Sequence, residues 1–417
     1  MKENFKQKQI FLDANNSTGK IKIEKLCSLI ENHPYKDEIF RTFKVNNIKD
    51  EYIWIDYIDL IYNRVLHLMT KYKRYKITAE TKDIDVFEES VKAAEEPNII
   101  FKFEEYAEVD EVKKNLKAIA IYDAKNTFLD QYEMTKYANN LFKIGHADLA
   151  NYNVQYFKNK AKESENYNKE KSFRLVDFEE TTYLRGITSL GYYEYGIDFT
   201  FVVAMLSLYK NMKANPGTAE YRIKSAAISE SKLEIIAAEK FTKDGGSFGQ
   251  VSTAIKITTN DLGTGSLNFV NIISVNQVGT NGFFLIPKKN SIIENSTLII
   301  NHNTKPKNVF TSLSNMEEIL NTTDSFIKEI NSIKAIKTPD ELRARILAKI
   351  VSPRSVFKTM KNLSDIFNRK IRNEISNFSK LIEMCNKAEE LDIDYDLKDK
   401  LRYIISDIIL YGNTKDI

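Results

Sequence analysis

A chain of 417 residues is long enough for two or three packed units. Hydrophobic residues make up 42% and charged residues 29%, with 14 glycines and 7 prolines, a balance that excludes collagen-like, mucin-like and wholly disordered classes. Lysine and arginine number 61 against 58 acids, a formal charge of +3, so any nucleic-acid or membrane partner has to be found locally rather than in a whole-molecule field.

The opening residues MKENFKQKQIFLD place charges where a signal peptide needs an apolar run. The longest uncharged apolar stretch, Phe199 to Tyr209, falls short of the roughly 20 residues that cross a bilayer. No membrane association and a reducing bacterial cytoplasm are therefore expected. Cys27 and Cys385 sit at opposite ends of the chain, and the four histidines have no metal-ligand spacing, so two buried thiols, no metal and no cofactor are expected.

In chain order, Glu51 to Lys71 puts Trp54, Ile58, Ile61, Val65 and Met69 at three- and four-residue steps, which predicts a helix with a wide buried face. Strands follow at NIIFKFEEYAEV and LKAIAIYDA, then a helix over Asn126 to Phe142, and Lys158 to Lys171 reads as a solvated linker. Residues 1–170 thus form a mixed α/β region. Eleven of the fourteen glycines fall between Gly186 and Gly282, where turns and bulges use them. Tyr221 to Ile228 and Lys232 to Ala237 read as a hairpin, and VSTAIKITTN, SLNFVNIISV, GFFLIP and STLIINHN as further strands. An antiparallel β core is expected over residues 171–306. Residues 307–417 are helical, with Thr338 as N-cap, Pro339 at the first helical position, and Ser352-Pro353 as an interruption. The fold class is α+β.

Motifs for chemistry are sparse. Asp261-Leu262-Gly263-Thr264-Gly265-Ser266 resembles a phosphate loop of the actin and heat-shock ATPases, with Asp244-Gly245-Gly246-Ser247 as its partner. The two lie too close together and in reversed order, which leaves a pair of glycine turns. Ser17-Thr18-Gly19-Lys20 lacks the upstream glycine of a P-loop. Cys27 lies in an apolar helical run and reads as an inert thiol despite nearby His33.

Basic segments are more informative. Lys71, Tyr72, Lys73, Arg74, Tyr75 and Lys76 interleave four cations with two rings, a composition suited to phosphates and unpaired bases. The same residues also fit the cationic end of a helix whose tyrosines pack inward. Lys337 to Lys380 holds eleven bases and four acids, a local charge of +7, and five of the twelve arginines lie between Arg343 and Arg372. Guanidinium groups at Arg343, Arg345, Arg354, Arg369 and Arg372, with Lys349 and Lys358, point to phosphate contacts. The tail after Lys380 is acidic and packs against these helices in the alternative reading.

The stretch Ile255 to Lys305 resembles the phage and plasmid family known as domain of unknown function 932. The matching residues are Asn260-Asp261, Gly263, Gly265-Ser266, Thr280-Asn281-Gly282 and His302; Gly279 stands where that family has cysteine. The resemblance covers about a quarter of the chain and implies a phage or other mobile element as context, with no catalytic residue to carry over. The resulting expectation is a nonenzymatic protein that binds DNA or RNA through the Lys71–Lys76 cluster and the C-terminal basic helices. A phage capsid or tail component, homo-oligomeric through its many aromatic residues, is the alternative, and an enzyme with a site dispersed in sequence is the second.

Overall fold

The computed structural model describes residues 2–89, 98–109, 111–163, 168–263, 265–276, 282–287, 297–313, 327–328, 338–368 and 375–412. Strands β1 (Lys8–Gln9), β2 (Lys20–Lys22) and β3 (Tyr52–Asp56) frame short helices α1 (Ile23–Cys27), α2 (Lys36–Thr42) and α3 (Val45–Ile48), and lead into α4 (Ile58–Lys71). Strands β4 (Lys73–Glu80), β5 (Ile84–Glu89), β6 (Asn98–Glu108) and β7 (Glu111–Ala120) follow. Helices α5 (Ala124–Asp130), α6 (Thr135–Lys143) and α7 (Ala147–Glu163) precede the hairpin β8 (Glu170–Phe178) and β9 (Thr181–Thr188). After α8 (Gly196–Ala214) come β10 (Tyr221–Ile228), β11 (Lys232–Glu239), β12 (Lys243–Asp244), β13 (Gln250–Asn260), β14 (Leu267–Val275), β15 (Phe283–Leu285) and β16 (Thr297–Ile300). Helices α9 (Pro306–Leu313), α10 (Pro339–Val351), α11 (Lys361–Phe367), α12 (Phe378–Glu389) and α13 (Tyr395–Tyr411) close the described chain. The class is α+β, with the expected β-rich middle and helical C-terminal region.

Two compact units arise, and they do not follow the three contiguous regions expected from composition. One comprises Met1–Phe5, Leu66–Gly196 and Asn260–Gly265; the other comprises Lys6–Val65, Ile197–Thr259 and Ser266–Ile417. The first unit holds a six-stranded sheet in the order β4-β8-β9-β7-β6-β5. An added β4–β6 pairing at Thr78↔Ala107 closes five of the strands into a ring, with β7 and β9 parallel and the other neighbours antiparallel. With its helices between β7 and β8, this ring has the strand order of the five-stranded Greek-key barrel of the OB type. Phe101, Phe103, Phe128, Phe173 and Leu184 fill its core.

The second unit holds a ten-stranded sheet, β15-β14-β13-β11-β10-β3-β2, with β1 on β10, β12 on β13 and β16 on β14. Val251, Ile273, Val275 and Phe283 from the sheet share a core with Leu342, Ile346, Leu381, Leu401 and Ile405 from the C-terminal helices. Helix α8, apolar on every side, is correspondingly buried over most of its length. Among the described residues no helix is long and apolar enough to cross a membrane.

Three local expectations are corrected. The helix expected over Glu51 to Lys71 begins as a strand: Ile53 and Ile55 point inward and Tyr52 and Trp54 outward, and Tyr57, at φ 72°, turns the chain into α4. The aromatic and β-branched run Tyr-Ile-Trp-Ile satisfies a period of two as readily as a helical one. The helix expected over Asn126 to Phe142 is broken in two, with Glu133 at φ 55° in the break. The linker expected from Lys158 is helical through Glu163, because Lys158 is buried and its ammonium lies 2.6 Å from Asp85.

The expected cap at Thr338 is present in full. Its hydroxyl accepts from the Glu341 backbone N–H at 3.2 Å while the Glu341 carboxylate accepts from the Thr338 N–H at 2.9 Å. Thr338→Ala removes one arm of this capping box and is expected to lower stability by about 1 kcal/mol, read as a drop in the denaturant midpoint.

Candidate anion-binding cleft

The basic residues singled out by sequence divide between the two units. Lys71 ends α4, and Tyr72 is buried, stacked on Phe178 at 5.1 Å with its hydroxyl donating to the Asn4 carbonyl at 2.8 Å. Lys73 and Lys76 are exposed along β4, and Tyr75 donates to Asp177 at 3.2 Å. Arg74 joins Arg174 and Arg185 around Glu194. Burial pushes this carboxyl up, but the guanidiniums of Arg185, Arg174 and Arg74 outweigh it and hold Glu194 at about 2. The Tyr72 ring is thus a core side chain rather than a stacking face, as the packing alternative had it.

Arg343 is also corrected. It is buried, donating to Asp340 at 2.8 Å and to the Phe367 carbonyl at 2.7 Å, so it braces α10 against the end of α11. Arg345 donates to the Gly412 carbonyl and Lys349 is half-buried. Arg354 and Lys358 are exposed, whereas Arg369 and Arg372 lie outside the described residues. Of the family-like residues, Asn260 accepts from the Leu262 N–H at 3.1 Å. Gly263 has φ +88°, with room for a Cβ taken by Thr188 and the Ile187 carbonyl. Ser266 donates to Asn268 at 2.8 Å, His302 is buried, and Asn281 lies outside the described residues. Gly282 lines a cavity: at φ +75°, any Cβ there would stand 2.2 Å from the Val275 carbonyl oxygen. Cys27 and Cys385 are buried, and burial pushes the Cys27 thiol up to about 12 and that of Cys385 higher still.

That cavity, a cleft of about 660 Å³ in the second unit, was not found by sequence reasoning. Its walls come from β1 and the following Phe11, from Tyr57, from β10 and from the turn between α12 and α13. Strand β1 lies antiparallel on β10 with Lys8 opposite Ile228, which brings Gln9 to the same wall as Lys224 and Ser225. Behind this wall runs a buried ionic network. Arg402 donates from Nε to Glu389 at 3.0 Å, from Nη1 to Glu234 at 3.0 Å and Tyr395 at 2.8 Å, and from Nη2 to Ser225 at 3.1 Å. Glu234 lies 3.2 Å from Lys256, which also pairs with Asp399. Burial, with Glu234 beside it, pushes Asp399 up to about 6 despite Lys256.

Two ammonium groups of the cleft stand apart from this network. Lys398, only 4% exposed, donates to the Gln9 side-chain oxygen at 3.2 Å, and Lys224 donates to the Asn276 side-chain oxygen at 3.2 Å. Among the described residues no carboxylate pairs with either. Burial lowers both lysines; Arg222 lowers Lys224 further, and for Lys398 the carboxylates of Glu389 and Asp392 only partly offset burial and the nearby Arg402. Lys398 also occupies the first turn of the 17-residue helix α13, where the macrodipole disfavours a cation. A buried charge held by an amide oxygen alone is costly, and an anion in the cleft would offset that cost for Lys398. Phe11, 86% exposed, and Tyr57, held in a left-handed backbone conformation that aromatic residues rarely adopt, add two rings to the walls. Among the described residues no three His, Cys, Asp or Glu are grouped to hold a metal ion. No protein-family model, curated protein or solved structure matches this chain.

The sequence signal for this site was the presence of charge within apolar strands: Lys224 in YRIKSAAI, Glu234 in KLEIIA and Lys256 in VSTAIKITTN. Lys398 gave no such signal, lying in an acidic tail.

Two outcomes follow. Arg343→Glu places a second anion beside buried Asp340 and is expected to cost about 3–5 kcal/mol, whereas Arg354→Glu on the surface stays within about 0.5 kcal/mol; chemical denaturation separates them. Lys398→Met is expected to stabilise the unliganded protein by about 1 kcal/mol at neutral pH by removing the unpaired charge. Because the folded-state pKa of Lys398 is lowered, the unfolded chain binds the extra proton. The wild-type deficit is therefore present at lower pH and narrows as pH rises through that lowered pKa. Denaturant midpoints of both proteins across alkaline pH check the sign.

Proposed function

We propose that this chain is a nonenzymatic nucleic-acid-associated protein whose cleft binds the phosphate of a nucleotide. Lys398 and Lys224 would hold the phosphate, with Arg222 at the wall, and the rings of Phe11 and Tyr57 would meet the base. The observation that carries this reading is the buried ammonium of Lys398, whose described hydrogen-bond partner is a side-chain amide. Charge-assisted bonds to phosphate are stronger than neutral ones and compensate the desolvation that the folded protein already bears. The strand order of the first unit supports the same class by fold-level analogy, since OB-type barrels serve oligonucleotide and oligosaccharide binding.

This reading moves the main contact away from Arg343 and Tyr72, which are buried, and onto residues whose charge has no partner in the described structure. Exposed Lys73, Lys76, Arg354 and Lys358 would contribute only general attraction of the screened, surface kind.

Calorimetric titration tests the proposal with three probes: inorganic phosphate, a nucleoside monophosphate and the same nucleoside without phosphate. The monophosphate is expected to bind best and the nucleoside not at all. Lys398→Met and Lys224→Met are each expected to weaken the monophosphate about 10- to 100-fold. A nucleoside that binds as tightly as its monophosphate, or a double variant with unchanged affinity, would overturn the assignment.

A further inference from the structure

The chain's only tryptophan lies on the surface of the second unit. Trp54 is 60% exposed and Tyr52 47% exposed on the outward face of β3, with Ile53 and Ile55 inward. Their rings lie 6.5 Å apart at 48°. Strand β2, the last in the sheet order, places Lys20 opposite Trp54 and Lys22 opposite Tyr52. The Lys20 ammonium stands 4.7 Å from the Trp54 ring and 5.5 Å from the Tyr52 ring, and among the described residues no carboxylate pairs with it. Lys22 is bonded to Glu24 and Asp50, each at 2.8 Å.

This outward face continues to the cleft. The next outward residue, Asp56, is held by Arg222 at 2.8 Å and Lys240 at 2.9 Å; Arg222 and the adjoining Tyr57 line the cleft itself. From Tyr52 to Tyr57 the strand advances about 17 Å, a few stacked nucleotides at about 3.4 Å each. Rings alternate with cations along this path: Lys22, Tyr52, Lys20, Trp54, Arg222 and Tyr57. A protein-binding hot spot would be ringed by contacts that exclude water, whereas these two exposed aromatics share one ammonium, that of Lys20, over both rings. Exposed π-faces beside cations complement unpaired bases and their phosphates.

We infer that the ribbon of β2 and β3 and the cleft form one track for single-stranded nucleic acid, with a phosphate in the cleft and the adjoining bases stacked on Trp54 and Tyr52. The inference rests on the reading of the cleft as a phosphate site and adds the form of the ligand: an unpaired strand rather than a duplex or a free nucleotide.

The single tryptophan makes the test direct. Titration with a short oligothymidylate is expected to quench Trp54 fluorescence, whereas inorganic phosphate or a thymidine monophosphate, which occupies only the cleft, leaves the emission unchanged. Trp54→Ala is expected to lower affinity for the oligonucleotide about tenfold, measured by anisotropy of a labelled strand, with Tyr52→Ala as a second variant; circular dichroism checks that both fold. A duplex of the same length is expected to bind more weakly than the single strand. Monophosphate binding without any quenching by the oligonucleotide, or unchanged affinity in both variants, overturns the track and leaves the cleft reading standing. Quenching by the oligonucleotide that is indifferent to Lys398→Met and Lys224→Met overturns the cleft reading, and with it the joined path. Light scattering that finds a dimer of this chain abolished by Trp54→Ala assigns the ribbon to self-association and overturns the track as well.

Discussion

Arg402 brings a permanent charge into the interior of the second unit, and the elements around it are arranged to satisfy that charge. Its guanidinium reaches Glu389 at the end of α12, Tyr395 at the start of α13, Ser225 on β10 and Glu234 on β11. A planar fork of donors is suited to holding several acceptors at once, and an ammonium could not span the same set. Because the network joins the sheet to two successive helices, it fixes the turn between α12 and α13 against β10. That turn and that strand both line the cleft. The cleft therefore owes its shape to a buried ionic lattice, which carries a desolvation cost that only complete pairing offsets.

The same economy separates structural charges from the two assigned to ligand. Glu194 is met by Arg174 and Arg185, Asp340 by Arg343, Asp85 by Lys158, and Glu234 by Lys256 and Arg402. In each case a buried cation faces a buried or half-buried carboxylate, as expected for groups that would otherwise neutralise. Buried Lys398 and half-buried Lys224 are the exceptions among the cleft's cations, since each is held by a side-chain amide oxygen. An amide oxygen orients an ammonium without cancelling its charge. The two ammonium charges thus stay available in a partly desolvated site that Glu389, Glu390 and Asp392 also line, and they act there more strongly than the exposed lysines of β4.

Much of the fold was legible because local chemistry and tertiary structure agree. The hairpin of β10 and β11, the strands of the glycine-rich middle and the cap at Thr338 each follow from short-range patterns that nothing distant overrides. The division into units was not legible, because Phe5, Leu66–Gly196 and Asn260–Gly265 are brought together by contacts remote in sequence. The family-like turn residues Asn260 and Gly263 belong to the first unit, while the strands on either side belong mainly to the second. For the site, the density of arginine around Arg343 was a misleading guide. Helices that pack onto a sheet use guanidinium groups to tie helix ends together, as Arg343 and Arg345 do at Phe367 and Gly412, and composition alone does not distinguish that use from phosphate binding.

Trp54 shows the converse ambiguity. Three- and four-residue spacing from Trp54 to Ile58, Ile61 and Val65 fits a helix, yet Ile58, Ile61 and Val65 are buried and Trp54 is not. The positive φ of Tyr57 ends the period-two stretch and starts the helical one, so both periods are present in one run. Placed on a strand, Trp54 turns away from the core that Ile53 and Ile55 enter and comes to lie beside Lys20. The same conformation directs Tyr57 to the cleft wall. Strand β3 and the turn at Tyr57 thereby set both the exposure of the tryptophan and the lining of the cavity, which is why the aromatic ribbon adjoins the cleft. Near-neutral total charge is compatible with that arrangement, because Lys20, Lys224 and Lys398 have no carboxylate partner among the described residues, whereas Glu234, Glu389 and Asp399 are paired inside the second unit.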